Sequence, residues 1–249
     1  MYIFILPCLY TLSYTILLNS SQGYLNYRHM TDIYVIYHTL LKYNKNPFVI
    51  NYFTENIMED QRNIYPSYVY LDNTEKLNYT KLKSKGYTSN DFLNSLRCNI
   101  PELKYVNKDD NVLVYMSGHG CEGVFKFFDK EWLTKEDLMY NIRKLCQRAN
   151  KVLLIIDTCS AESMVERDID NLYVVSTSTY NEASLSYGSN ESLGVTTVDS
   201  FAYYFYKVVN TENVKDLSLN DFFSLVKEYD IKSTMTYSDK KEFNFKDFF

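Results

Sequence analysis

Two apolar runs in this chain end on side chains that can do covalent chemistry. Val112-Leu113-Val114-Tyr115-Met116-Ser117 leads into Gly118-His119-Gly120, and Lys151-Val152-Leu153-Leu154-Ile155-Ile156 leads into Asp157-Thr158-Cys159. A cysteine thiolate is a strong nucleophile, and an imidazole takes up and returns a proton near neutral pH. The pair therefore reads as nucleophilic catalysis with a histidine acid/base partner. Each residue alone has a plainer reading: Cys159 as a small buried hydrophobe, His119 as a loop histidine. Their shared context at the ends of two strand-like runs favours the chemistry. Glycine on both sides of His119 permits unusual backbone angles and close approach of a substrate chain. The N–H groups of Gly120 and Cys159 are candidates for an oxyanion hole.

The elements that must position them follow from periodicity. Both runs are short, apolar and rich in β-branched residues, as buried strands are. Between them Thr134 is a helix N-cap with Asp137 three residues on, followed by the stripe Leu138, Ile142, Leu145. Two parallel strands joined by a crossover helix bring His119 and Cys159 to one sheet edge, beyond the strand carboxyl ends, where open α/β sheets build their sites. Further strands are expected at Thr15 to Leu18, Phe48 to Phe53 and Leu172 to Val175. Helices are expected through Met30 to Leu41, over Asp91 to Arg97 capped by Asn90 or Asp91, from Val198 to Val209, and after an Asn220 cap. Residues 54 to 90 are polar and read as a long surface excursion. The alternation predicts an α/β fold, a mostly parallel sheet with helices on both faces.

With 249 residues, 46% hydrophobic and 23% charged, the chain can form one sizeable globular domain. A net charge of −5 offers no basic face for nucleic acid. Met1 to Leu18 carries no charged side chain. The segment reads as a secretory signal over residues 1–12 running into a first strand, with an uncleaved anchor or a core strand as the alternatives. The single domain then covers 13–249. Of the five cysteines, Cys8 leaves with the signal. Cys98, Cys121, Cys146 and Cys159 show neither CxxC nor zinc spacing, so neither a disulfide scaffold nor a metal site is expected.

A set of motifs, in order along residues 15 to 249, resembles the catalytic subunit family of the glycosylphosphatidylinositol (GPI) transamidase, which is caspase- and legumain-like. Tyr115-Met116-Ser117-Gly118-His119-Gly120 is similar to its Y-M-T/S-G-H-G block, and Gly123-Val124-Phe125-Lys126-Phe127 to the continuation. Ile155-Ile156-Asp157-Thr158-Cys159 matches I-I-D-T-C. Asn26-Tyr27-Arg28-His29 reproduces N-Y-R-H. Ser184-Leu185-Ser186, Gly194-Val195 with Asp199, and Asp247-Phe248-Phe249 echo later blocks. The resemblance implies a caspase-like fold with Cys159 as nucleophile, His119 as acid/base and Asn26 completing a triad by orienting the imidazole. From the residues alone Asn26 is a helix N-cap. Thr177 and Ser178 are implied to line the pocket for the residue preceding the scissile bond.

The activity implied is acyl transfer. The C-terminal signal of a proprotein is cleaved through a thioester, and the new C-terminus passes to the ethanolamine phosphate amine of a GPI lipid, with no cofactor. The implied setting is the endoplasmic reticulum lumen, at the membrane, in a complex with other membrane subunits of a GPI transamidase. A soluble legumain-like asparaginyl endopeptidase and a non-catalytic scaffold subunit are the alternatives. The sequence departs from the family at three places. Cys121 and Glu122 replace glycine and a small polar residue. Glu59 replaces the cysteine that tethers a partner subunit in relatives. Lys81, Lys83 and Lys85 follow Lys76-Leu77-Asn78 where relatives carry acidic calcium ligands, so no calcium is expected. Asn19, Asn78 and Asn190 open glycosylation sequons.

Overall fold

The computed structural model describes residues 13–249, so the proposed signal segment lies outside the described residues. The first elements are β1 (Ser13–Asn19), α1 (Tyr27–Tyr43), β2 (Phe48–Tyr52), β3 (Tyr68–Tyr70), β4 (Lys76–Asn78), α2 (Ser89–Leu96) and β5 (Asn111–Ser117). A hairpin unit follows, β6 (Gly120–Cys121), β7 (Val124–Phe127) and β8 (Glu131–Thr134), then α3 (Lys135–Arg148) and β9 (Lys151–Asp157). The chain continues with β10 (Leu172–Ser176), β11 (Ser186–Asn190), β12 (Val195–Asp199), α4 (Ser200–Thr211), α5 (Leu219–Lys227) and β13 (Thr236–Tyr237).

Six strands form the central sheet in the order β13-β10-β9-β5-β1-β2, parallel except for β13. The near-continuous apolar runs are explained by burial of both sheet faces. Ile16, Val114, Leu154 and Val174 point to one side, where Phe92 and Leu96 of α2 and Leu138, Ile142 and Leu145 of α3 pack. Leu17, Tyr115, Leu153 and Tyr173 point to the other, under α1, α4 and α5. Thr134 caps α3 as expected, accepting from the Asp137 N–H at 3.1 Å.

Several local expectations are corrected. The cap of α2 is Thr88, and Asp91 is the third residue of its capping box. Ser218, not Asn220, caps α5. Val198 lies in β12, so α4 begins two residues later. The polar stretch 54–90 contains the β3–β4 hairpin, and there Glu59 pairs with Lys81 at 2.9 Å. Among the three sequons, Asn19 and Asn190 are buried, whereas Asn78 is exposed.

Candidate active site

The strand register sets the geometry. Asn19 of β1 lies beside Ser117 of β5, and Ser117 beside Asp157 of β9. The segments leaving these three strands therefore emerge together at one edge. The sheet reverses direction here: β2 lies outside β1 on one side, while β5, β9 and β10 follow on the other. The crevice of an α/β sheet opens at such a reversal, and the segments after β1 and β5 flank it.

Asn26 and His119 meet across that crevice. The His119 Nε2 and the Asn26 Oδ1 are 2.9 Å apart. An amide oxygen only accepts, so Nε2 carries the proton and Nδ1 keeps the lone pair. Asn26 is the residue before α1, yet its side chain makes no capping bond. Its Nδ2 instead donates to the Gln22 carbonyl at 2.6 Å, which fixes the amide with its oxygen toward the imidazole. The capping role read from the residue type is thus replaced by one that holds the ring. A second contact braces the same ring: His29 stands edge-on to it, centroids 4.8 Å apart. Burial, then the cations of Arg28 and Lys126, hold His119 below the ordinary imidazole pKa. It is neutral at pH 7 and ready to accept a proton.

Cys159 sits two residues past β9 and is half-buried, its Sγ 3.9 Å from the Ser184 carbonyl. The next residue, Ser160, has φ 51° and ψ 33°, a left-handed conformation that costs a non-glycine residue about 1–3 kcal/mol. Bonds offset this: the Ser160 N–H donates to the Glu182 carbonyl at 2.8 Å, and the Ser163 hydroxyl donates to the Ser160 carbonyl at 2.6 Å. The turn continues as a four-residue 3-10 segment, Ala161–Met164, rather than the α-helix that would have supplied a full dipole.

The two glycines beside His119 are required by space and not by backbone angle, because neither has a positive φ. A Cβ on Gly118 would stand 2.0 Å from the Ser20 Oγ, and one on Gly120 2.7 Å from the Thr158 Oγ1. The first approach presses the His119 segment against the end of β1, and the second presses it against the residue preceding Cys159. The Lys126 N–H donates to the His119 carbonyl at 2.8 Å. In an antiparallel hairpin the next residue then turns its N–H away from the partner strand, which directs the Gly120 N–H outward from β7.

Thr177 and Ser178 do not present their hydroxyls to a pocket. Both are fully buried. Ser178 donates to the Thr158 carbonyl at 2.7 Å and accepts from the Ala161 N–H at 3.0 Å, and Thr177 donates to the Asp157 Oδ1 at 2.9 Å. They hold the floor under Cys159 instead.

That floor contains a cluster missed from sequence: Asp32, Asp157 and Asp199, all buried, with carboxylate oxygens within 4.8 Å of one another. Tyr115 donates to Asp157 at 3.0 Å, Ser117 to Asp32 at 2.7 Å, and the Asp199 N–H to Asp32 at 3.0 Å. The Arg28 Nε lies 3.0 Å from Asp199, and the His29 Nε2 3.4 Å from its other oxygen. Protein donors thus reach Asp32 and Asp157, while the buried Asp199 Oδ1 makes no hydrogen bond among the described residues despite the nearby Arg28. Burial, then Asp199 and Asp157, push the Asp32 carboxyl well above the usual range, while burial and Asp199 raise Asp157.

A carboxyl whose folded pKa lies above its unfolded one adds stability below the unfolded value, near pH 4, and loses it as pH rises through the folded pKa. Asp32→Asn removes this dependence at one position while keeping the side chain's shape. The thermal midpoint of Asp32→Asn is expected to exceed wild type at pH 8, with the gain vanishing near pH 4. One pKa unit is worth about 1.4 kcal/mol, and each kcal/mol moves the midpoint by about 2–4 °C in a chain of this size. An equal or lower midpoint at pH 8, measured by calorimetry, contradicts the repulsion.

A cavity of about 480 Å³ lies at the outer edge of β2, lined by residues including Phe48, Asn51, Lys83 and Lys85, and none of its lining residues belongs to this site.

A thiol and an amide-held imidazole at the carboxyl edge of a parallel sheet covered on both faces define the class as cysteine peptidases of the caspase-like fold. Residues 13–246 match the model of the Peptidase C13 family, and the chain belongs to that family. Among curated relatives it is 27% identical to the GPI-anchor transamidase of Schizosaccharomyces pombe over 244 residues, covering 90% of this chain and 64% of the relative. It is 28% identical to the GPI-anchor transamidase of Homo sapiens over 233 residues, 87% of this chain and 59% of the relative. With that of Saccharomyces cerevisiae it shares 27% over 210 residues, 78% and 51% respectively. The chain thus spans between half and two thirds of the length of these relatives.

Proposed function

We propose that this chain carries the catalytic site of a GPI-anchor transamidase, with Cys159 as nucleophile, His119 as acid/base and Asn26 orienting the imidazole. The observation that carries the reading is the 2.9 Å contact between His119 Nε2 and Asn26 Oδ1, which leaves Nδ1 free to move a proton. The curated relatives' names support the choice of transamidase among cysteine peptidase activities.

The reaction runs in two halves. The Cys159 thiol gives its proton to His119 Nδ1, and the sulfur attacks the carbonyl of a small residue near the C-terminus of a proprotein. The N–H groups of Gly120 and Cys159 receive the negative charge on the carbonyl oxygen. The C–N bond breaks, the His119 proton passes to the leaving amine, and a thioester remains. The amine of a GPI ethanolamine phosphate then attacks the thioester while His119 takes its proton. The Cys159 thiolate leaves and is reprotonated. This chemistry belongs in the endoplasmic reticulum lumen, in a membrane complex that delivers both the proprotein signal and the lipid.

The test is a cell line that lacks its own transamidase catalytic subunit and expresses this chain. Surface GPI-anchored proteins, measured by flow cytometry, are expected to return. If they do not return, and the purified chain alone hydrolyses peptides after Asn or Asp, the site is that of an endopeptidase and the transamidase reading fails.

A further inference from the structure

One loop packs along the Cys159 turn, through the Ser178 bonds already described and through two further contacts nearer the nucleophile. It runs from Thr177 to Leu185, between β10 and β11. The Glu182 carbonyl accepts from the Ser160 N–H at 2.8 Å, and the Ser184 carbonyl faces the Cys159 sulfur at 3.9 Å. What shapes this loop also shapes the nucleophile's surroundings.

The loop is knotted by one side chain. The Glu182 Oε2 accepts from the Thr179 N–H at 2.8 Å and from its hydroxyl at 2.9 Å. The Glu182 Oε1 accepts from the Thr234 N–H at 2.9 Å and from its hydroxyl at 3.0 Å. Four donors thus converge on one carboxylate, two from its own loop and two from the segment before β13. Burial opposes ionisation here, yet these N–H and O–H donors together hold the Glu182 pKa below the ordinary value. Asn181, in the left-handed region at φ 57°, makes the bend that turns the carboxylate back on Thr179. The segment before β13 is tied to the same strand end, since the Ser233 hydroxyl donates to the Thr177 carbonyl at 2.5 Å.

We propose that Glu182 is a positioning residue for Cys159: its carboxylate locks the 177–185 loop to Thr234, and the locked loop fixes the Ser160 turn that aims the thiol at His119. The proposal rests on reading Cys159 as the nucleophile. Glu182 touches neither substrate nor the reacting atoms; it acts through the Ser160 N–H and the Ser184 carbonyl. A carboxylate suits the task because all four partners donate. Glutamine offers one oxygen, so one threonine N–H would face an amide NH2 and lose its acceptor.

The test compares the full chain as wild type, Glu182→Ala and Glu182→Gln. Each is alkylated with iodoacetamide at pH 6, and the modified cysteines are resolved by peptide mass spectrometry. Cys121 is exposed on the same chain and serves as the internal standard. In wild type, Cys159 is expected to react faster than Cys121, because a neighbouring imidazole can take the thiol proton as the sulfur attacks, and Cys121 has no such base assigned to it. In Glu182→Ala the Cys159/Cys121 rate ratio is expected to fall at least fivefold, and in Glu182→Gln by an intermediate factor. If Glu182→Ala does not fold, the Glu182→Gln ratio decides. A ratio above one in wild type that survives unchanged or rises in the folded variants overturns the role of Glu182 alone. A wild-type ratio near one overturns it together with the nucleophile assignment.

Discussion

A chain carrying Cys159→Ala is expected to lose the proposed transfer activity by at least about 10³-fold, with its stability within about 1 kcal/mol of wild type. The other described thiols cannot take over. Cys98 and Cys146 are buried, and burial raises both, Cys146 to about 12. Thiols held in that form do not attack a carbonyl. Cys121 is exposed, but it lies in β6 beyond His119, one residue further along the hairpin than the outward-facing Gly120 N–H. The alanine removes a half-buried sulfur whose polar contact is a 3.9 Å approach to the Ser184 carbonyl, so little stability goes with it. Turnover and calorimetric midpoint measured on one preparation check both halves. Full activity in Cys159→Ala would remove the nucleophile assignment.

Asn26→Ala is expected to lower turnover by about 10²–10⁴-fold, the range that a correctly held general base supplies. Its stability cost is expected to stay within about 1 kcal/mol, because the side chain makes no capping bond to lose. Asn26→Ser and Asn26→Asp separate the two roles this position offers. Both are good N-caps, so if capping were its task both would restore the wild type. For holding the ring, serine is too short to reach His119. Aspartate accepts from Nε2 but cannot donate to the Gln22 carbonyl, which lies 2.6 Å from the amide nitrogen it replaces. Both variants are therefore expected to remain at least tenfold below wild type. Near-normal turnover in the serine and aspartate variants would reduce the triad to Cys159 and His119.

The parts of this site that rest on strand periodicity were legible before the structure. The runs through Val112–Met116 and Val152–Ile156 could only be buried strands, and a parallel crossover puts their carboxyl ends together. The Thr134 cap was legible because its bond is local, three residues long. Side chains whose partners lie far away in sequence were not. The Asn26–His119 contact spans 93 residues, and only the family resemblance pointed to it, since a local reading makes Asn26 a cap. Asp32 reads as a solvated charge on α1 until Ser117 and Asp199 are brought against it. Thr177 and Ser178 stand near the site, but the direction of their hydroxyls follows from strand register and not from residue type. Glu182 reads as an ordinary loop carboxylate, and only its four converging donors mark it out.

The parallel order of the sheet has a consequence for when this protein can act. β1, β5 and β9 are neighbours in space, yet α1 and the long 54–90 segment separate the first two in the chain, and α3 the others. Each pairing closes a long loop, which makes such sheets late to form. A half-folded chain holds the thiol, the imidazole and the amide on three unconnected segments, and therefore not the proposed catalytic site. On that reading turnover begins only when the last of these strands is seated, and the onset of activity in a refolding experiment is a clock for completion of the central sheet.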